Sequence, residues 1–208
     1  MEISMQSLEV KEAPVFSPLL KRYTLQEFWD LPTPEDRYHY DLIGGYLFLV
    51  PPSAPPHDQI DSRLTRSLVG FLIANNIKGD VYHPQAAIYR SAESDTYLVP
   101  DVMYVSEALE QTMGPKRASA DIVFEYAFKS TANYDRTTKA DTYLALRVRE
   151  LWLIDSSTST LEVRQTVTHE GRLRWSISRY AREEVAESQV LPGWRVSVSE
   201  LFEGLTKE

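Results

Sequence analysis

The sequence contains no cysteine, which excludes disulfides and thiolate metal sites. Any metal must therefore be held by oxygen or imidazole ligands. A lack of cysteine is compatible with the reducing cytosol, and we expect a cytoplasmic location. No apolar run approaches the roughly 20 residues that cross a bilayer, and the first residues lack the basic and apolar segments of a signal peptide. We therefore expect no membrane partner.

Positive charge is also scarce, with 22 Lys and Arg against 30 Asp and Glu and a net charge of -8. Affinity for DNA depends on neutralising phosphates with Lys and Arg, so this balance argues against tight nonspecific DNA binding. It does not exclude a nuclease, because a bound metal brings its own positive charge. A local basic patch is also available from Lys116, Arg117, Lys129, Arg136 and Lys139.

Motifs of several common reaction classes are missing. The sequence has no glycine-rich loop that cradles phosphates and no Gly-x-Ser-x-Gly nucleophile motif. The histidines, which are His39, His57, His83 and His169, do not show the spacing of zinc ligands. Carboxylates are therefore the side chains on which a reaction hypothesis must rest.

Length and periodicity predict one α/β (α+β) domain over residues 22–208, preceded by an N-terminal arm over residues 1–21. The pattern alternates between strand and helix periods. A capping box at Thr24 and Glu27 predicts a first short helix. Further helices are expected at 57–75, 106–113, 134–146 and 199–202. Strands are expected at 38–50 (two, broken by Gly44-Gly45), 81–89, 97–105, 122–129, 151–154, 160–166 and 172–180.

Two carboxylates interrupt apolar strands. Glu125 lies in such a run, and a buried carboxylate is costly without a cation, a proton or hydrogen-bond donors. The strand period of two places Lys129 on the same face as Glu125. Asp101 ends or interrupts the apolar run 97–105, and two neighbouring strands would bring both carboxylates together. A metal site is one interpretation, and ordinary strand-end acids are the other.

Polar residues on the predicted helices are open to ordinary explanations. Asp135 and Lys139 are four positions apart on the helix 134–146, which by itself favours a surface ion pair worth about 0.3 to 0.5 kcal/mol. His57 and Gln59 stand at the start of the helix 57–75, where hydrogen bonding at the helix end is a more common role than a part in a site.

A set of short motifs, taken together, resembles the Uma-type restriction endonuclease family of the PD-(D/E)XK nuclease superfamily. The resemblance covers about residues 22–204. The motifs are Tyr40-Asp-Leu-Ile-Gly-Gly-Tyr-Leu47, Val99-Pro-Asp101, Ile122-Val-Phe-Glu125, Ser130-Thr131, Asp135-Arg136 with Lys139, Tyr143, Glu150-Leu-Trp-Leu-Ile-Asp155 and Leu191-Pro-Gly193.

The resemblance implies a restriction-endonuclease-like mixed sheet flanked by helices, with extra antiparallel hairpins. It implies that Asp101 and Glu125 bind Mg²⁺ or Mn²⁺ and that Lys139 supplies the positive charge which relatives carry two residues after the glutamate. Ala127 occupies that usual position here, and Lys129 is a candidate to assist or replace Lys139. The implied substrate is DNA and the implied assembly is a homodimer.

Three departures from the family pattern leave a second hypothesis open. Gly44-Gly45-Tyr46 stands where the family has Asp-Gly-Glu, Phe128-Lys129 replaces Ser-Pro, and Arg147 replaces a glycine. The alternative is a degenerate nuclease fold that serves as an interaction or assembly module. The two hypotheses differ over metal: a working site binds it through Asp101 and Glu125, whereas a degenerate site would pair Glu125 with a lysine directly.

Overall fold

The computed structural model describes residues 21–52, 55–84, 86–114, 116–127 and 131–205. Lys129 lies outside the described residues. So does the expected N-terminal arm, except for its last residue, Lys21. Within these ranges, no helix has both the length and the apolar character needed to cross a membrane.

Strands and helices alternate along the chain much as the periodicity predicts. The strands are β1 His39–Ile43, β2 Tyr46–Val50, β3 Gly79–Tyr82, β4 Val102–Ser106, β5 Ile122–Ala127, β6 Glu150–Asp155, β7 Thr160–His169, β8 Arg172–Tyr180, β9 Val185–Glu187 and β10 Arg195–Ser197. The helices are α1 Leu25–Trp29, α2 His57–Ala74, α3 Glu107–Met113, α4 Ala132–Tyr134, α5 Ala140–Ala145 and α6 Val198–Leu201.

A six-stranded mixed sheet with the order β3-β4-β5-β6-β7-β8 forms the centre of the fold. β5 and β6 pair in parallel, and the other neighbouring strands pair antiparallel. Parallel neighbours require a crossover, which is made here by α4, a π-helical turn over Asp135–Lys139, and α5. The expected mixed sheet flanked by helices is confirmed.

Apolar side chains cover both faces of the sheet. On one face, the predicted stripe of α2 is buried together with Phe124, Trp152 and Trp194. On the other face, Val123 packs with Tyr143 of the crossover. Because side chains alternate along a strand, Glu125 shares the face of Val123 and points toward the crossover helix.

β1 and β2 form a separate hairpin. Gly44 and Gly45 have φ values of +57° and +82°, which glycine adopts at little cost, so the expected tight turn is confirmed. The hairpin is joined to the body by reciprocal backbone hydrogen bonds of 2.8 and 2.7 Å between Leu42 and Tyr97. The Phe48 ring also stacks on Tyr134 of the crossover, with 4.9 Å between ring centroids.

Several strand predictions need correction. The strand expected over 97–105 begins at Val102, and residues 97 and 98 make only isolated bridges. The strand expected over 81–89 ends at Tyr82, and Ile88 makes only a single bridge to Leu98. Pro84 follows closely and has no N–H to donate to a ladder. β9, which pairs with β10, was not predicted because its short sequence has no strand pattern of its own.

Candidate active site

A cavity of about 650 Å³ collects the residues that the sequence singled out. Its lining includes Asp101, Glu125, Asp135 and Lys139. Asp101 directly precedes β4, and Val102 pairs with Phe124 of β5. The neighbouring strands therefore bring the two predicted metal ligands together, as expected.

Glu125 is buried, with 3% of its surface exposed. Lys139 Nζ donates a 2.8 Å hydrogen bond to Glu125 Oε2, and the Tyr143 hydroxyl donates to Oε1. Burial raises the pKa of the Glu125 carboxyl well above its ordinary value, and the charge of Lys139 acts in the opposite direction. Two donors from the crossover thus fix the orientation of this carboxylate.

Lys139 is also buried, with 3% of its surface exposed. Its Nζ lies 3.6 Å from Asp41 Oδ2 in addition to its bond to Glu125. Burial alone would lower the pKa of Lys139, but the surrounding carboxylates outweigh it and hold the pKa above its ordinary value. Lys139 is therefore a charged interior lysine. The expectation of a surface ion pair with Asp135 is wrong, because Asp135 is buried too.

Asp101 is more exposed than Glu125 or Lys139, with 23% of its side chain accessible. Its Oδ2 accepts a 2.9 Å hydrogen bond from the backbone N–H of Tyr126, which ties it to the residue after Glu125. Burial raises the pKa of Asp101, yet the nearby His57 ring and the charge of Lys139 bring the pKa below the ordinary value. Asp101 is therefore ionised at neutral pH.

His57 contacts the site, although the sequence favoured a role at the end of α2. Its Nε2 lies 3.6 Å from Asp101 Oδ1, and its ring packs edge-on against Tyr126 with 4.2 Å between centroids. The N-cap residue of α2, Pro56, makes no side-chain hydrogen bond to the helix. Gln59 is exposed, so only one of the two polar residues at this helix end faces the site.

Asp41 of β1 was missed by the sequence reasoning. It is fully buried, and it accepts hydrogen bonds from Val99 N at 3.1 Å and from the Tyr134 hydroxyl at 2.9 Å. The signal was available, because an acid inside an apolar and aromatic strand needs a partner, as was argued for Glu125. Asp41 brings a further carboxylate to the site in a chain where Gly44-Gly45-Tyr46 carries none.

Comparison with known proteins places the chain in a family. The family described as "Uma2: Putative restriction endonuclease" matches residues 25–199. The chain belongs to the Uma2 family. A solved "putative nuclease belonging to DUF820" from Anabaena variabilis ATCC 29413 has a similar fold, with a TM-score of 0.67, 17% identity, and coverage of 86% of this chain and 97% of that chain. No curated protein matches.

The candidate site of this Uma2 chain carries more negative than positive charge. The carboxylates of Glu125, Asp41, Asp135 and Asp101 all act on Lys139. Burial raises the pKa of Asp135 to about 6. Within the described ranges, no three His, Cys, Asp or Glu side chains are arranged as a metal-ligand group. A magnesium ion held by one or two carboxylates completes its shell with water and phosphate oxygens.

Two of the basic residues expected to form a patch near the Uma2 site, Arg117 and Arg136, make contacts with other side chains of the protein. The Arg117 guanidinium stacks 3.8 Å from the ring centroid of Tyr82. Arg136 donates a 2.9 Å hydrogen bond to Asp155. Their charge therefore serves contacts within the protein more than a surface for phosphates.

Proposed function

We propose that the chain is a Mg²⁺-dependent endonuclease that hydrolyses DNA phosphodiester bonds. The observation that carries the proposal is the meeting of Asp101, Glu125 and a charged Lys139 in one cavity. Membership of the Uma2 family supports it. These residues correspond to the carboxylate pair and lysine of a PD-(D/E)XK site, with the lysine supplied by the crossover helix.

The chemistry of the side chains fits a magnesium ion. Asp101 is ionised and partly exposed to the cavity, and Glu125 lies beside it on the next strand. The surplus of carboxylates over lysine favours a further cation. Mg²⁺ prefers carboxylate oxygens, and when bound it polarises phosphate oxygens and promotes the ionisation of water.

The protein's own residues fix the groups that this chemistry needs. Tyr126 N and His57 position the Asp101 carboxylate. The Tyr143 hydroxyl donates to Glu125 Oε1 and so positions that carboxylate. Lys139 keeps its proton and can donate hydrogen bonds to phosphate oxygens as negative charge develops on them. Preorganised donors of this kind stabilise a transition state more than freely moving ones.

One observation favours the competing hypothesis of an interaction or assembly module. Lys139 pairs directly with Glu125 at 2.8 Å, which is the contact expected of a degenerate site. In a working site the same lysine must share Glu125 with a cation. Metal binding therefore separates the two hypotheses.

The decisive experiment is calorimetric titration of Mn²⁺ into the wild-type protein and into an Asp101→Asn, Glu125→Gln double variant. We expect binding to the wild type and its loss in the double variant. The matched control is Glu107→Gln, Asp141→Asn, which removes two exposed acids and should leave binding intact. A plasmid-nicking assay with Mg²⁺ then tests hydrolysis. Wild-type protein that binds no Mn²⁺ at millimolar concentration would support the interaction module instead.

The assembly and the location are further parts of the proposal. The family resemblance implies a homodimer, so we propose this assembly, which light scattering after size-exclusion chromatography tests by mass. A cytoplasmic location agrees with the absence of cysteine, and fractionation of expressing cells tests it.

A further inference from the structure

The groups that would perform hydrolysis are recessed. The side chains of Glu125 and Lys139 are only 4% and 3% exposed, and both line the cavity. A phosphodiester must therefore enter the cavity to reach them. The cavity volume of about 650 Å³ lies in the range of small-ligand pockets, so it can admit only a small part of a nucleic acid.

The cavity joins an ionic region to apolar walls. The ionic region consists of Asp101, Glu125, Asp135 and Lys139. The apolar walls are formed by Val50, Pro51, Pro52, Pro84, Val99 and Pro100. In a duplex, the bases are stacked and paired and only the backbone and groove edges are available. Apolar walls gain contact only with a base or sugar that has left the stack.

The charge around the cavity also disfavours a duplex. Among the described residues that line it, Arg37 and Lys139 are the only Lys or Arg, and Lys139 is paired with Glu125. Proteins that grip duplex DNA draw much of their affinity from many phosphate contacts. Within the part of the chain that the structure describes, the cavity lining offers one unburied arginine for such contacts, and the net charge of the protein is -8.

We infer that the substrate is an unpaired DNA strand, from which one nucleotide enters the cavity with its base or sugar against the apolar walls and its phosphate at Asp101 and Glu125. The inference rests on the proposed nuclease function and adds its substrate class. Single-stranded tails, flaps and frayed ends have the required freedom, because their nucleotides are not held in a stack.

The binding test compares a fluorescein-labelled single strand with the same strand in a blunt duplex, by anisotropy, using wild-type protein with Ca²⁺ in place of Mg²⁺. We expect at least about tenfold tighter binding to the single strand, since unstacking a paired base costs energy that an unpaired base does not incur. Equal or tighter binding to the duplex would overturn the inference.

A variant of the cavity wall tests the contact itself. Val50→Asn makes one apolar wall polar, and Leu49→Asn is the matched control because Leu49 points to the other side of β2 and is 56% exposed. We expect Val50→Asn to weaken single-strand binding severalfold while Mn²⁺ affinity stays unchanged, and Leu49→Asn to change neither. Unchanged single-strand binding in Val50→Asn would contradict the inference.

Cleavage assays separate failure of this inference from failure of the proposed function. A forked duplex with one unpaired arm should be cut in that arm, and supercoiled plasmid should be nicked faster than relaxed plasmid, because supercoiling promotes local unpairing. Equal cutting of duplex and unpaired arms would refute the substrate class and leave the nuclease intact. Absence of both Mn²⁺ binding and cleavage would refute the nuclease itself.

Discussion

Lys139 Nζ and Glu125 Oε2 lie 2.8 Å apart in the interior, although the residues are 14 positions apart in sequence. Glu125 belongs to β5, and Lys139 ends the π-helical turn that begins the return to β6. Removing one partner of a buried ion pair leaves an uncompensated charge. The resulting loss of folding free energy is larger than the net stability that the intact pair provides. The pair therefore links the stability of the crossover to the chemistry of the site.

Lys139→Met should lower the free energy of unfolding by about 3 to 5 kcal/mol, because it leaves the Glu125 carboxylate buried without a cation. Urea unfolding at neutral pH measures this. Adding Glu125→Gln to Lys139→Met should recover much of the loss. The control is Lys21→Met, which breaks a partly exposed pair with Glu27 of the same 2.8 Å length and should cost far less. Similar losses in both single variants would contradict the prediction.

Asp135→Asn should stabilise the protein above pH 6. Burial raises the pKa of Asp135 from 3.8 to about 6 in the folded state, so the folded protein binds this proton more tightly than the unfolded chain does. That contribution to stability is complete below pH 3.8 and is lost as the pH rises through 6. Asparagine carries no charge, so the variant should be more stable than wild type by about 1 to 3 kcal/mol at pH 7.5.

Thermal unfolding at pH 4 and pH 7.5 tests the Asp135 prediction. The gain from Asp135→Asn should appear at pH 7.5 and shrink toward pH 4. Asp141→Asn, an exposed acid of α5 in the same crossover, should give no such difference. A variant that is less stable than wild type at pH 7.5 would show that Asp135 is needed as a partner for Lys139.

Asp41→Asn should reduce kcat while leaving substrate binding nearly unchanged. Asparagine keeps one oxygen that can accept from Val99 N, and its NH2 group can donate to the Tyr134 hydroxyl, which then acts as the acceptor. The substitution removes the second negative charge beside Lys139. We expect kcat to fall by about tenfold or more and KM to change by less than about threefold. This pattern is expected when a substitution weakens an interaction that stabilises the transition state and not the bound substrate. Asp95→Asn, an exposed acid near the hairpin turn, should behave like wild type.

Two glycines should respond to alanine in opposite directions. Gly79 has a φ of +143°, and a Cβ there would lie 2.5 Å from the backbone oxygen of Val105. Gly79→Ala should therefore destabilise β3 by about 2 kcal/mol or more. Gly70 lies within α2, and a Cβ added there would have open space around it, with no contact within 4 Å. Gly70→Ala should therefore stabilise the protein by about 0.5 to 1 kcal/mol. Chemical denaturation of both variants measures the free energy of unfolding, which should fall for Gly79→Ala and rise for Gly70→Ala.

Local patterns predicted much of the secondary structure because the spacing of apolar residues within a short stretch of sequence is enough to indicate a helix or a strand. The α2 stripe, with Ile60, Leu64 and Leu68 buried, follows from helical spacing. The capping box of Thr24 and Glu27 is present as expected, and so is the β7–β8 hairpin.

The site was only partly predictable because its contacts join distant segments. Asp41 contacts Lys139 across 98 sequence positions, and no local pattern encodes that pairing. Asp135 and Lys139 have the spacing of a surface pair, and only the packing of the crossover against β5 buries them. The π-helical turn that carries both residues likewise has no signature in the residue types.

The β1–β2 hairpin is held to the body by few backbone contacts, mainly those of Leu42 and Gly45, yet it supplies Asp41 and the Val50 side of the cavity. Local opening of this hairpin should therefore need less free energy than opening of β5 or β6. Its amides should exchange with deuterium sooner than those of the central sheet. Each opening would remove one wall and one carboxylate together, so the fraction of time that the hairpin is docked sets the fraction of molecules able to react.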